Sequence, residues 1–434
     1  MGFSRLHRAA VAQAQSAIRG RLALDFLATA GGGTAASGLG AIAGIAVARL
    51  LGPGERGAFA AAVVWAGILG TVAQLGLPQS IVYFTARHAD ELGAITRVIL
   101  GIYVMQSVGF FCLGWCVAGL VLQKMQPTAV GIVRLYLLSF PLANAMAYIS
   151  AIAQGMKRFR AGAVLSVVSS AAYVLAVCVA GLLRFHAASQ FLQLMLGSQL
   201  IVLVGTLIWF YHWLRPGGRF EWSWARRLLG YSLKSYGSNL SWIANARMDQ
   251  FVMTAVVSLE SLGQYAVAVS FAGVLYPIAG ALATLVFPHV ASGTRETAGR
   301  KIGLALALNM LVSCGGGGLL GFLSRFLIPF LFGTAFMPAV VPAEVLLGGT
   351  VLLACNNVLE NGLRGLGHPL IPTLGELAGV VATLVGLWFL LPRWGILGAA
   401  WASVLSYGVT STVVAFSMLR VLHRQDAPGY GTVA

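Results

Sequence analysis

GAVLSVVSSAAYVLAVCVAGLL, residues 162–183, holds no charged side chain, and Arg160 and Arg184 stand just outside its ends. A helix needs about 20 apolar residues to cross the hydrocarbon core of a bilayer. Lipid offers the backbone no hydrogen-bond partner, so a lipid-exposed run must satisfy itself as a helix. The run is also too long and unbroken for a β-barrel strand, which alternates over about ten residues. Working outward, similar runs fall at 22–50, 58–77, 95–122, 130–154, 190–213, 231–257, 264–290, 302–323, 338–362, 370–391 and 396–419. The expected fold is an all-α polytopic membrane protein with twelve transmembrane helices.

Composition agrees. Of the 434 residues 58% are hydrophobic and 9% charged, and mean hydropathy is +0.85. A soluble domain is about a quarter charged. These values exclude a cytoplasmic enzyme, a secreted disulfide scaffold and a disordered regulator. Cys112, Cys116, Cys178, Cys314 and Cys355 lie inside apolar runs without metal-ligand spacing, and read as buried, inert thiols.

The net charge of +16 would suggest nucleic acid in a soluble protein. Here it follows the positive-inside rule. With the N-terminus inside, twenty of the 28 Lys and Arg fall on inner segments and seven on outer ones, leaving Arg247 within a span. Both termini are therefore expected in the cytoplasm, and no nucleic acid is needed. MGFSRLHRAAVAQAQSAIRGR (1–21) lacks a sustained apolar core, so it reads as an amphipathic helix on the cytoplasmic face rather than a signal peptide. The basic stretch 214–230 is the largest polar loop. It divides residues 22–213 from 231–420, two six-span lobes, with a cytoplasmic tail at 421–434.

The lobes resemble each other. Gly57-Ala58-Phe59-Ala60 and Gly263-Gln264-Tyr265-Ala266 open the second and eighth spans 206 residues apart. The segments 154–159 and 364–369 end the fourth and tenth spans at an offset of 210. Six spans is an even number, so the repeat is parallel, about an axis along the membrane normal, as in some transporters. A substrate would sit between the pseudo-symmetric halves.

Three longer stretches point to a family. ARLLGPGERGAFAAAVVWAGILGTVAQLGLPQSIVYFTAR (48–87) resembles the first helical hairpin of the bacterial polysaccharide transporter family. ARMDQFVMTAVVSLESLGQYAVAVSFAGVLYPIAGALATLVFPHVAS (246–292) resembles its seventh and eighth spans. NGLRGLGHPLIPTLGELAG (361–379) and WGILGAAWASVLSYG (394–408) resemble its tenth to twelfth. The family belongs to the multidrug/oligosaccharidyl-lipid/polysaccharide exporter superfamily. The resemblance implies an inner-membrane flippase for undecaprenyl-pyrophosphate-linked oligosaccharides, such as O-antigen or exopolysaccharide repeat units. Membrane lipid, glycan polymerase and glycosyltransferases are the partners it implies.

The seventh run carries the clearest polar pattern. Lys234, Ser238, Ser241, Asn245 and Asp249 recur at spacings of 4, 3, 4 and 4, which puts them on one helical face. Such a stripe either lines a substrate cavity or hydrogen-bonds to neighbouring helices. Arg247 points elsewhere, roughly 200° around the helix from Asp249. An Arg at the bilayer centre costs ~2.5–3.5 kcal/mol on insertion scales. Its guanidinium suits a pyrophosphate as a bidentate donor; a structural pair with a neighbouring carboxylate is the other reading. Arg49, Arg87 and Arg134 stand at span ends, as substrate contacts or as snorkelling side chains. Glu376 within the eleventh span is a candidate for H+ or Na+ coupling. Glu360 and Arg364, spaced to pair, and Asp25, near an interface, are further coupling or gating candidates. The triple glycine at 31–33 and the quadruple one at 315–318 are expected to loosen their helices, and Gly40-x-x-x-Gly44 permits close packing.

No His-Glu-x-x-His, Walker A loop or post-strand Gly-x-Gly-x-x-Gly is present, and no loop could hold a catalytic domain. A non-enzymatic transporter without a cofactor is expected. A multidrug and toxin antiporter is the rival, since its organic cations would need cavity acids such as Asp25, Asp249 and Glu376. A membrane polymerase or acyltransferase lacks the necessary loops here.

Overall fold

The computed structural model describes residues 3–122, 127–214, 220–277, 280, 283, 286, 290 and 295–423. Within these, the side chains of 3–30, 127–128, 212–214, 234–235, 238–239, 295–297 and 423 are not described. The chain is almost entirely helical, with no strand among the described residues. Among the described residues twelve α-helices can be bounded, in order: α1 Phe3–Gln74, α2 Leu77–Arg87, α3 Leu92–Leu122, α4 Pro127–Tyr136, α5 Ser139–Gly155, α6 Phe159–Leu182, α7 Ala188–Leu214, α8 Trp222–Val256, α9 Leu259–Ala272, α10 Arg295–Phe332, α11 Val340–Gly365 and α12 Leu370–His423. Among the described residues eight stretches are long and apolar enough to cross a membrane. Two of them are folded double: α1 breaks at Gly52 (φ 70°) and α12 at Gly395 (φ 54°).

Helix boundaries depart from the expected spans where prolines break them. Pro78 and Pro141 fall in the first turns of α2 and α5, each lacking the N–H its helix would need to continue from the preceding one. The second span thus continues as α2 to Arg87, ten residues past its expected end. The fourth is split into α4 and α5 around Leu137 and Leu138. The helices run unbroken through both glycine clusters at 31–33 and 315–318, because lipid-embedded backbone keeps its hydrogen bonds where water would compete for them. Neither Gly40 nor Gly44 has another side chain or strand of backbone within 4 Å of its Cβ position, so this motif makes no close packing contact.

The expected loop 214–230 is in part helix. From Trp222 onward it forms the first turns of α8, because Trp224, Ala225 and Leu228 make an apolar face that buries against α2 and α3. Arg226 and Arg227 are left outward. Residues 215–219 and 424–434 lie outside the described structure. The segment 1–21 is continuous in backbone with the rest of α1 from Phe3.

Large apolar side chains cover the outside: Leu182, Ile201, Phe322 and Trp388 are each more than 70% exposed. In water such a surface would aggregate; in lipid it is solvated. The cysteines follow this surface. Cys112, Cys116, Cys178 and Cys314 are exposed and Cys355 half-buried, so the expectation of buried thiols is corrected: their apolar runs face outward, not into the core.

One core cluster joins the two halves of the chain, from Val47, Phe59 and Trp65 to Tyr265, Phe271 and Ala402. Its tightest point is reciprocal. A methyl group on Gly57 would overlap the carbonyl oxygen of Leu259, and one on Gly263 would overlap that of Pro53. Both pairs are related by the 206-residue offset, so the two first turns meet as equivalent surfaces about a local twofold. Alongside, α8 leans on the first half. The Trp65 indole donates to Thr254 (3.1 Å), the Tyr236 hydroxyl to the Thr71 carbonyl (2.8 Å), and Trp224 to Glu91 (3.0 Å).

Candidate functional site

The polar face of α8 packs against its own half of the chain. Asp249 is buried, and both its oxygens are engaged. The Tyr265 hydroxyl and the Ser403 hydroxyl donate to Oδ2 (2.6 and 2.9 Å), and the Gln250 backbone N–H donates to Oδ1 (2.7 Å). One turn earlier Asn245 donates to Glu376 (2.6 Å) and accepts from Ser406 (2.6 Å). Gly379 leaves room for this knot, since a Cβ there would overlap the Thr410 hydroxyl and crowd Asn245 and Ser406. Ser241, also buried, donates to the Gly237 carbonyl. The stripe therefore runs along a seam between α8, α9 and α12. The side chains of Lys234 and Ser238 lie outside the described residues, as does that of Asp25.

Glu376 stands beside Glu360, and both are buried. Arg364 donates to Glu360 (3.0 Å) as the i,i+4 spacing predicts, while the other Glu360 oxygen has no donor among the described residues. Two carboxylates in contact repel unless a proton or cation lies between them. Asn245, which holds Glu376, links this pair to the Asp249 helix.

Arg247 projects from the opposite face of the same helix and is exposed. It makes no ion pair among the described residues. Within its electrostatic reach, from the first half of the chain, is Arg56. Arg56 sits in the second turn after the Gly52 break and is only 8% exposed. Its guanidinium lies over the Phe59 ring at 5.2 Å and beside Tyr173, and its Nε has no hydrogen-bond partner. The adjacent Glu55 does not neutralise it: that carboxylate accepts the Ala188 N–H (2.6 Å) and caps the N-terminus of α7. A cavity of about 480 Å³ lies between the second limb of α1 and helices α4 to α7; Phe59 and Tyr173, the rings beside Arg56, are in its wall, and Arg56 itself is not.

The remaining sequence candidates are dispersed. Arg49 is exposed on α1. Arg87 lies over the Tyr83 ring (4.4 Å), which stacks on Tyr231. Arg134 lies over Trp115 (4.9 Å). Sequence reasoning missed Arg56, Tyr265 and Ser403. Arg56 follows Gly52-Pro53-Gly54, which reads as a loop, yet a single residue completes the turn and leaves Arg56 in a buried helix. Tyr265 carried a weak signal, a lone phenol at the start of an apolar run.

The descriptive model of the polysaccharide biosynthesis protein family matches residues 22–293. That is more than half of the chain. The chain belongs to this family. It is 24% identical over 218 residues to a probable low-salt glycan biosynthesis flippase, Agl15, of Haloferax volcanii; the match covers 48% of this chain and 46% of that relative, so the chain spans about half the length of the curated relative it matches. Among solved structures it is similar to the lipid II flippase MurJ in an inward closed conformation, with a TM-score of 0.75, 12% identity, and 92% of this chain and 89% of that one covered. It is equally similar to an inward-facing multidrug resistance MATE transporter of the MOP superfamily, with a TM-score of 0.76, 14% identity, and coverage of 90% and 96%. At these identities the structures share the fold. With its apolar helices, the protein is a multi-pass membrane protein with a MurJ/MATE-like fold.

Proposed function

We propose that the protein is a flippase that moves undecaprenyl-pyrophosphate-linked oligosaccharide from the inner to the outer leaflet of a bacterial cytoplasmic membrane. In this reading twelve spans form two six-helix lobes, residues 22–213 and 231–420, with both termini cytoplasmic. The charged head crosses between the lobes while the polyprenyl tail stays in lipid, and no bond is made or broken. The observation that carries the reading is the imbalance of free charge where the lobes meet. Arg56 is buried with an unpartnered Nε, and the exposed Arg247 makes no ion pair among the described residues, whereas Asp249, Glu360 and Glu376 are held by protein donors. A buried cation without a partner is costly, and a pyrophosphate supplies the missing charge with a geometry that guanidinium matches.

The tight contact at Gly57 and Gly263 suits closure on one side, with access from the other, as alternating access requires. The Glu360–Glu376 pair is the candidate for H+ or Na+ coupling. The family match and the flippase relative support the substrate class. An organic-cation antiporter would need unengaged acids in place of the arginines.

The test is flipping by the purified protein in liposomes carrying a fluorescent undecaprenyl-pyrophosphate oligosaccharide. The wild type is expected to expose the head to the outer medium, and Arg247→Ala to slow this at least tenfold, about 1.4 kcal/mol. Unchanged flipping in Arg247→Ala would remove the site. Absence of flipping in the wild type, with uptake of an organic cation instead, would replace the function.

A further inference from the structure

Glu360 on α11 and Glu376 on α12 are 2% and 3% exposed, and their carboxyl groups stand within hydrogen-bonding reach of each other. Each is also held from outside the pair. Arg364 donates to Glu360 Oε2 (3.0 Å), and Asn245 of α8 donates to Glu376 Oε2 (2.6 Å). Glu360 Oε1 is buried without a donor among the described residues. Ionised carboxylates only accept hydrogen bonds, so two of them in contact repel.

Charge and geometry narrow what joins them. Two carboxylates and one guanidinium sum to −1, and one added positive charge makes the buried cluster neutral, as a low-dielectric site requires. A metal ion fits poorly. A hard cation gathers about six oxygens, and the oxygens nearby are engaged: Asn245 Oδ1 and the Gly379 carbonyl accept from Ser406, and Thr410 donates to the Gly375 carbonyl. The Arg364 guanidinium would repel a metal from the Glu360 side. A proton needs only two facing oxygens. The phenols of Tyr276, just after α9, and Tyr407 on α12 lie within electrostatic reach of the pair and are uncharged near neutral pH. Asp249, one turn along α8 from Asn245, is held by its own donors.

We infer that Glu360 and Glu376 share a single proton, that this proton is the coupling ion, and that Asn245 passes its presence to α8. The inference rests on the flippase reading and narrows the ion to one H+. In the proposed topology the end of α11 faces the cytoplasm, and the partly exposed Arg364 stands between the pair and that side. The lobes touch at Gly57 and Gly263 on the other side, so in this conformation the proton leaves to cytoplasmic water. The bare carboxylates then repel, α11 and α12 part, and Asn245 draws α8 along, with Arg247 on it.

Two experiments on the purified full-length protein test this. The first is infrared spectroscopy in detergent at neutral pH, without substrate. A carboxylic-acid band is expected in the wild type, the same band is expected to be missing from both Glu360→Gln and Glu376→Gln, and Asn245→Ala is expected to keep it. A band lost from one Gln variant only, or from neither, overturns the sharing. The second is flipping in liposomes with the membrane potential clamped at zero. One proton per head shifts the steady-state ratio of lipid between leaflets about tenfold per unit of pH difference, about 1.4 kcal/mol. Asn245→Ala and both Gln variants are expected to flatten that slope. A slope of about a hundredfold means two protons, and a slope that follows Na+ instead of pH means a metal site; either overturns the inference. So does an unchanged slope in Asn245→Ala, for the role of Asn245. The two readings fail separately: the shared band without flipping removes the flippase, and flipping without the band removes the shared proton.

Discussion

The two halves of the chain treat buried charge in opposite ways. In the C-terminal half, Asp249 takes three hydrogen bonds, from Tyr265, Ser403 and Gln250, and Glu376 is held by Asn245. In the N-terminal half Arg56 is buried with an idle Nε and only an aromatic face for company. Arg247, borne by the C-terminal half, is exposed and makes no ion pair among the described residues; both Asp249 and Arg56 lie within its electrostatic reach. The acids serve the protein's own packing. In the proposed function the arginines face the substrate's anion. Since a buried group left unsatisfied costs more than a made hydrogen bond contributes, losing a partner from the first set should matter most to stability, and the second set should matter most to transport.

This contrast can be broken in four ways, in falling order of effect on the fold. Gly57→Leu or Gly263→Leu places a side chain where a neighbouring carbonyl sits. No rotamer relieves that overlap, so export in cells should fall to background, measured as surface glycan; normal export would dismiss the contact as a working gate. Asp249→Ala strands the Tyr265 and Ser403 hydroxyls and should cost ~2–4 kcal/mol of stability, read as a drop in thermal midpoint. Glu376→Gln keeps an acceptor for Asn245 and should cost under ~1 kcal/mol. Its flipping rate should lose dependence on the Na+ or H+ gradient, and a retained dependence would move coupling elsewhere. Arg56→Gln removes an uncompensated charge, so its thermal midpoint should hold or rise. A large fall would mean that Arg56 serves packing after all.

Much of the fold was legible in the sequence because the membrane imposes one rule on every apolar run. Residues 162–183 are a helix at 159–182 for the reason that made them readable, continuous apolar length. One matched pair also meets in the structure: Gly57 and Gly263, 206 residues apart, are in contact. Less visible were the proline breaks at Pro78 and Pro141, since proline is tolerated in membrane helices and only the local backbone decides. For the site, the α8 face was legible from spacing. Which way it faced was not, because Ser403 and Ser406 lie over 150 residues away and look like ordinary small packing residues. Arg56 was hidden by the glycines and proline before it, which resemble a loop and are a one-residue turn.

The most direct measurement is mass spectrometry of lipid extracts from cells lacking this protein. The account predicts accumulation of a complete undecaprenyl-pyrophosphate oligosaccharide, relieved by the wild-type protein and not by Arg247→Ala. Normal lipid-linked intermediates, with raised sensitivity to cationic drugs, would contradict it.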